Sequence, residues 1–176
     1  MADADRAHSE RVLTSLLLMF FVLAAIALIR EGGHFDNTVG AERLVTIAFF
    51  SGGILGFALW THCTGVTPAF SLSGPSRQLW LATALAALFA MAGASYVNRT
   101  FATLTERSRV VAIDSIREGR GNRWHVVVSA ADGRLERYLI TERAAAQLKD
   151  ATAVRLRYAR GVLGFDYIAQ FEPVQR

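Results

Sequence analysis

Glu31 and His34 stand three residues apart, a spacing that puts two metal ligands on one face of a helix, and Asp36 and Glu42 follow within the same interhelical loop. A catalytic metal site needs about three protein ligands in defined geometry, and a solvated loop accounts for the same residues. His62 and Cys63 follow the second apolar run and fall on the opposite side of a bilayer from His34, so these groups cannot share a site. The Gly119-Arg120-Gly121 turn is the one compact glycine–arginine element. It could cradle a phosphate through backbone and guanidinium, but it reads more simply as a hairpin turn. The chain holds neither a Gly-x-Ser-x-Gly nucleophile elbow nor a P-loop. Trp124, Tyr138, Tyr158 and Tyr167 could offer stacking faces beside Arg137, Arg155 and Arg157, as single-stranded nucleic-acid binders do. Tyr158 shares the inward row of its strand, however, and 18 of the 19 basic residues are arginine, which reads as compositional bias. The expectation is a protein with no catalytic, cofactor-binding or metal residues. The arginines form a possible anionic-partner face, for which lipid or an acidic protein ranks above nucleic acid.

The elements that carry these residues fall into two halves. Overall 52% of the 176 residues are apolar and 19% are charged, with a mean hydropathy of +0.29, a balance foreign to a wholly soluble protein. Residues 99–176 hold 14 Lys+Arg against nine Asp+Glu, whereas residues 1–98 hold five against six. Three Pro and one Cys exclude a collagenous chain and an intramolecular disulfide scaffold.

Val12–Ile29 carries no formal charge over 18 residues, and Leu44–Thr61 and Leu79–Val97 repeat the pattern. At about 1.5 Å per helical residue each run comes close to crossing a bilayer core. Backbone in lipid must satisfy its own hydrogen bonds, so helix is the expected state. A signal peptide is the competing reading of the first run, given Arg6, Arg11 and the Ala25-Ile26-Ala27 triplet. The apolar stretch exceeds the usual signal core of about 7–15 residues, so a retained anchor fits better. Ala48, Gly52 and Gly56 form a stripe at four-residue spacing, as do Ala82, Ala86, Ala90 and Ala94. Small residues let helices approach closely in lipid, so the second and third helices should pack on these faces. The alternative is self-association through Gly52 and Gly56. Trp60, Trp80 and Tyr96 are expected as interface anchors. The spans lack Asp, Glu, Arg and Lys, which disfavours an ion or proton path. Arg30, Arg43, Arg99, Arg107 and Arg109 flank one side, against Arg6, Arg11 and Arg77 on the other, which favours a cytoplasmic C-terminal domain.

Residues 1–98 therefore read as a three-helix transmembrane domain, 99–108 as a neck, and 109–176 as a small β domain. In the last of these the hydrophobic period changes to two. Arg109–Asp114, Trp124–Ala130, Leu135–Ile140, Val154–Arg160 and Phe165–Phe171 are rich in β-branched and aromatic residues. Turns are expected at Glu118–Asn122, Asp132-Gly133 and Gly161–Gly164. Thr141 followed by helix formers to Leu148 signals a short capped helix. The expected core is Val111, Ile113, Val126, Val128, Leu139, Leu148, Val154, Leu156, Tyr158 and Ile168.

The order β-β-β-α-β-β resembles the five-stranded OB-like barrel, with an SH3-like barrel as the alternative. Spans followed by such a domain resemble the NfeD-like family of bacterial membrane proteins and related uncharacterised families. The resemblance covers architecture over the spans and residues 107–174, and carries over no functional residue. It implies a non-enzymatic accessory or assembly subunit of a bacterial inner-membrane complex. The partners are then the lipid bilayer and a membrane protein or second copy of this chain, with no cofactor. The alternative is a membrane-anchored sensor whose basic face binds an anionic ligand, headgroup or nucleic acid.

Overall fold

Long charge-free runs have one stable backbone solution in lipid, and the computed structural model adopts it. It describes residues 2–65, 74–119, 123–130 and 133–174. Helices α1 (Ala2–Phe35), α2 (Ala41–Thr64) and α3 (Gly74–Thr100) are each long and apolar enough to cross a membrane. All three outrun their uncharged segments, because intrahelical hydrogen bonding continues through polar residues such as Arg30 and Glu31. Part of the second interhelical loop, including Pro68, lies outside the described residues, as do Arg120–Asn122 and Asp132 of the expected turns.

The chain divides into two units, Met1–Glu31 with Glu42–Ser95, and Gly32–Ala41 with Tyr96–Arg176. The first interhelical loop and the last turn of α3 thus belong with the sheet.

In the helical unit, a Cβ built on Gly52 would overlap Ala90 Cβ and crowd the Ala86 carbonyl oxygen at 2.8 Å, and one on Gly56 would overlap Ala86 Cβ. Gly52 and Gly56 of α2 therefore lie directly on the alanine row of α3, at a spacing only hydrogen side chains allow. Ala82 contributes its carbonyl to the Gly56 contact, 3.4 Å from the built Cβ. Ala48 is buried on the same stripe of α2. Gly52→Ala should destabilise the pair by about 1–3 kcal/mol through overpacking. Gly53→Ala, whose Cβ would meet only ordinary contacts at 3.9 Å from Ala87 and 4.0 Å from Thr83, should leave it nearly unchanged. Detergent-denaturation midpoints of the two variants, measured side by side, decide this; equal midpoints would refute the close approach.

The sheet unit is antiparallel with strand order β3-β2-β1-β4-β5. Its strands are β1 (Thr103–Gly119), β2 (Arg123–Ser129), β3 (Leu135–Ile140), β4 (Ala153–Arg160) and β5 (Asp166–Val174). The segment expected as a neck is mostly strand, because β1 starts at Thr103 and pairs Thr103 with Arg160. This 17-residue strand serves two neighbours. Its first part pairs with β4 and its second with β2, Ala112 facing both Ser129 and Ala153, with an irregularity between Ile113 and Ser115. Such a bulge bends a strand and sharpens its twist. Helix α4 (Glu142–Leu148) joins β3 to β4, capped by the Thr141 hydroxyl, which accepts from the Ala144 amide at 3.2 Å.

The core gathers Val111, Val126, Val128, Ile140, Ala145, Leu148, Val154, Leu156, Tyr158 and Ile168, with Ile113 partly buried against it. Leu139 is not part of it. Tyr138 and Ile140 take the inner face of β3, so strict alternation turns Leu139 outward, where its Cδ2 lies beside Gly33.

Candidate functional site

Asn37 and Asn98 are the polar side chains most deeply buried in the sheet unit, 4% and 1% exposed. A buried amide must find partners for its oxygen and its NH2 group, and each of these finds a peptide group far along the chain. Asn37 Nδ2 donates to the Leu139 carbonyl at 2.7 Å and its Oδ1 accepts from the Leu139 amide at 2.7 Å. The side chain thereby imitates a neighbouring strand on the free edge of β3. The Asn37 carbonyl accepts from the Ile168 amide at 2.9 Å, the Val39 amide donates to the Asp166 carbonyl at 2.8 Å, and Thr38 forms an antiparallel bridge with Tyr167. One three-residue segment of the α1–α2 loop therefore touches both edge strands of the sheet, β3 and β5.

Asn98, in the last turn of α3, does the same for the β4–β5 hairpin. It donates to the Phe165 carbonyl at 3.1 Å and accepts from the Leu163 amide at 3.2 Å. Its amide lies so close over Gly161 that a Cβ there would overlap it. The hairpin closes through Gly161 N–H to the Phe165 carbonyl at 3.0 Å, with Gly164 at φ +86°. Beside the Asn37 clamp a cavity of about 400 Å³ is lined by His34, Asn37, Thr141, Tyr167 and Phe171.

Charge reinforces the loop's position. Asp36 meets Arg137 at 3.3 Å and His125 Nε2 at 3.9 Å. Burial, and then the Arg137 guanidinium, hold the His125 pKa below its ordinary 6.5, against the pull of Asp36. The neutral ring is thus favoured in the folded state. An unfolded chain takes up the proton near pH 6.5 while the folded one resists, so this contribution is complete above that pH and lost as pH falls toward the lower folded value. Urea midpoints of the full chain should therefore fall more on acidification from about pH 7.5 to about pH 5 than those of His125→Gln. Parallel slopes would remove His125 from the account. Tyr138 donates to Glu136 Oε2 at 2.7 Å, and burial followed by that bond pushes its hydroxyl above the usual tyrosine range.

The candidate residues from the sequence are distributed differently. Arg155 and Arg157 project from β4 and share Glu172, at 3.8 and 3.2 Å. Arg137 sits on β3, engaged by Asp36. Along the register Arg137 faces Val127, which faces Ser115, whereas Arg155 faces Val110. Five positions of β1 separate the two, about 16 Å of strand, so the three arginines do not converge. Arg107 and Arg160 both engage Asp166 at 2.9 Å. Glu31 accepts from the Ser95 hydroxyl at 3.2 Å in the helical unit, whereas His34 Nδ1 lies 3.5 Å from the Tyr167 hydroxyl in the sheet unit. Among the described residues no cluster of three His, Cys, Asp or Glu could hold a metal ion. Cys63 is exposed. Trp80 packs against Phe57 at 6.1 Å, the Trp60 indole nitrogen is buried, and Tyr96 is exposed with Arg99 stacked 5.7 Å from its ring.

Neither Asn37 nor Thr38 stood out in the sequence. The available signal was a polar tripeptide, Asp36-Asn37-Thr38, between two apolar helices. The fold and clamps define a class of chain: three helices long and apolar enough to cross a membrane, with a five-stranded antiparallel sheet carrying one helix. No protein-family model matches this sequence, and no curated protein or solved structure matches it significantly.

Proposed function

We propose that this chain is a non-enzymatic accessory or assembly subunit of a larger membrane protein complex in a bacterial inner membrane, its C-terminal domain making the protein contact. The observation that carries the reading is the pair of buried amide clamps. Asn37 and Asn98 tie the loop between two spans and the end of the third to the sheet. A domain that builds these two connecting segments into its own fold suits a docking subunit better than an enzyme on a free linker.

The domain is a small OB-like barrel in this proposal, and Asn37, bonded to both β3 and β5, fills its seam. Arg30, Arg43, Arg99, Arg107 and Arg109 support a cytoplasmic position for it. Pairing of Arg155 and Arg157 with Glu172 weighs against a free basic face for nucleic acid or a soluble anion.

Gentle detergent extraction of the tagged chain from its native membrane, followed by sizing and mass spectrometry, tests the reading. A stoichiometric foreign subunit is the expected result. Recovery of a monomer or a homo-oligomer alone would overturn it.

A further inference from the structure

The tip of the β4–β5 hairpin is apolar where a water-facing turn is ordinarily polar. Gly161-Val162-Leu163-Gly164 exposes Val162 at 60% and Leu163 at 45%; Phe101, in the turn after α3, and Leu104, at the start of β1, are 63% and 59% exposed. These residues are close in the fold. Leu104 pairs with Ala159 and Thr103 with Arg160, immediately before the hairpin, and the Leu163 amide is bonded to Asn98. Asn98 lies in the last turn of α3, a helix long and apolar enough to cross a membrane. Two residues before it, exposed Tyr96 carries Arg99 over its ring, the amphipathic arrangement favoured at headgroup depth. The Asn98 clamp therefore holds the hairpin tip beside the last turn of α3.

We propose that Val162 and Leu163, with Phe101 and Leu104, form an interfacial foot that inserts into the headgroup–acyl boundary of the leaflet at which α3 ends. The chemistry around the tip fits that surface. Arg99, Arg107 and Arg160 surround it with Asp166 as the acidic counterpart, a net positive rim that matches anionic headgroups. The clamp to the end of a helix able to cross a membrane favours lipid over a soluble protein as the occupant. Apolar side chains at such a boundary typically reach about 5–10 Å into it.

The test uses the full chain with Cys63→Ser and a single new cysteine, Val162→Cys or Leu163→Cys, labelled with an environment-sensitive fluorophore. Each protein is reconstituted into phosphatidylcholine–phosphatidylglycerol vesicles containing a shallow-depth spin-labelled lipid. Leu135→Cys is the control, because Leu135 is equally exposed at 62% but pairs with Ser129 and through it with Ala112, nine positions along β1 from Thr103. All three sites are exposed, so the substitutions leave the core intact. Labels at 162 and 163 should emit to the blue of the label at 135 and be quenched several-fold more strongly by the lipid. Equal, water-like emission at all three sites would overturn the foot. So would protection of 162 and 163 in native membranes that is absent in vesicles of lipid alone, since a protein would then cover the tip. The vesicles hold only this chain and lipid, so failure of the accessory-subunit reading would not disturb the result.

Discussion

Leu156→Asp should unfold the sheet unit of the full chain while its three helices remain in the membrane. Leu156 is fully buried among Val111, Val126, Val128, Val154, Tyr158 and Ile168. Truncating a buried leucine to alanine already costs about 2–5 kcal/mol. A carboxylate there adds a desolvation cost, and the total stability of a domain is only about 5–15 kcal/mol. The helices escape because each satisfies its backbone hydrogen bonds within itself, whatever happens to the sheet. Limited proteolysis of reconstituted vesicles, read by mass spectrometry, should show new cleavage within 103–174 and intact fragments covering the spans. Leu156→Met, with its volume nearly conserved, should cost less than about 1.5 kcal/mol and keep the wild-type pattern. Wild-type protease resistance in Leu156→Asp would mean that the core has been placed on the wrong residues.

Different parts of this architecture were legible to different degrees, and the reasons are physical. Charge-free runs declared the three helices long and apolar enough to cross a membrane, because a single Asp or Arg in lipid is costly. Their ends were not declared, since a helix stops where its caps and contacts stop it, in α1 six residues past Ile29, where the charge-free run ends. The short helix α4 was readable because Thr141 supplies a local cap to Ala144, three residues away. In β3 the sequence Leu135-Glu-Arg-Tyr-Leu-Ile140 offers apolar residues to both faces. Pairing of Tyr138 and Ile140 on the inner face decides between them, and that depends on β2 across the sheet. Arg137, Arg155 and Arg157 looked like one basic face because sequence shows charge without its counterions. Asp36 and Glu172 supply those from elsewhere in the chain. The clamps were the least visible elements. Asn37 bonds a peptide group 102 residues away and Asn98 one 67 residues away, and nothing in local periodicity reports such a partner.

Asn37→Ala should release the α1–α2 loop from the sheet and expose both edge strands together. The substitution removes the donor to the Leu139 carbonyl and the acceptor for its amide, each at 2.7 Å. An unmet buried peptide group costs about 1–3 kcal/mol. Water can partly replace Asn37 on an edge strand, so the combined loss should be about 2–4 kcal/mol. Its signature is positional. The Leu139 amide loses its partner directly, and the Ile168 amide, held by the Asn37 carbonyl at 2.9 Å, loses its partner as the loop lifts. Hydrogen exchange on the reconstituted chain should accelerate at both positions by about 30- to 1000-fold, while Val126 and Val128 on interior β2 stay protected. Asn37→Asp separates the geometry from the charge. It keeps the acceptor for the Leu139 amide but sets a second oxygen against the Leu139 carbonyl, so Leu139 exchange should rise there as well. Acceleration confined to Leu139, with Ile168 unchanged, would show that the loop holds β5 without its amide clamp and that the two edges are fastened independently.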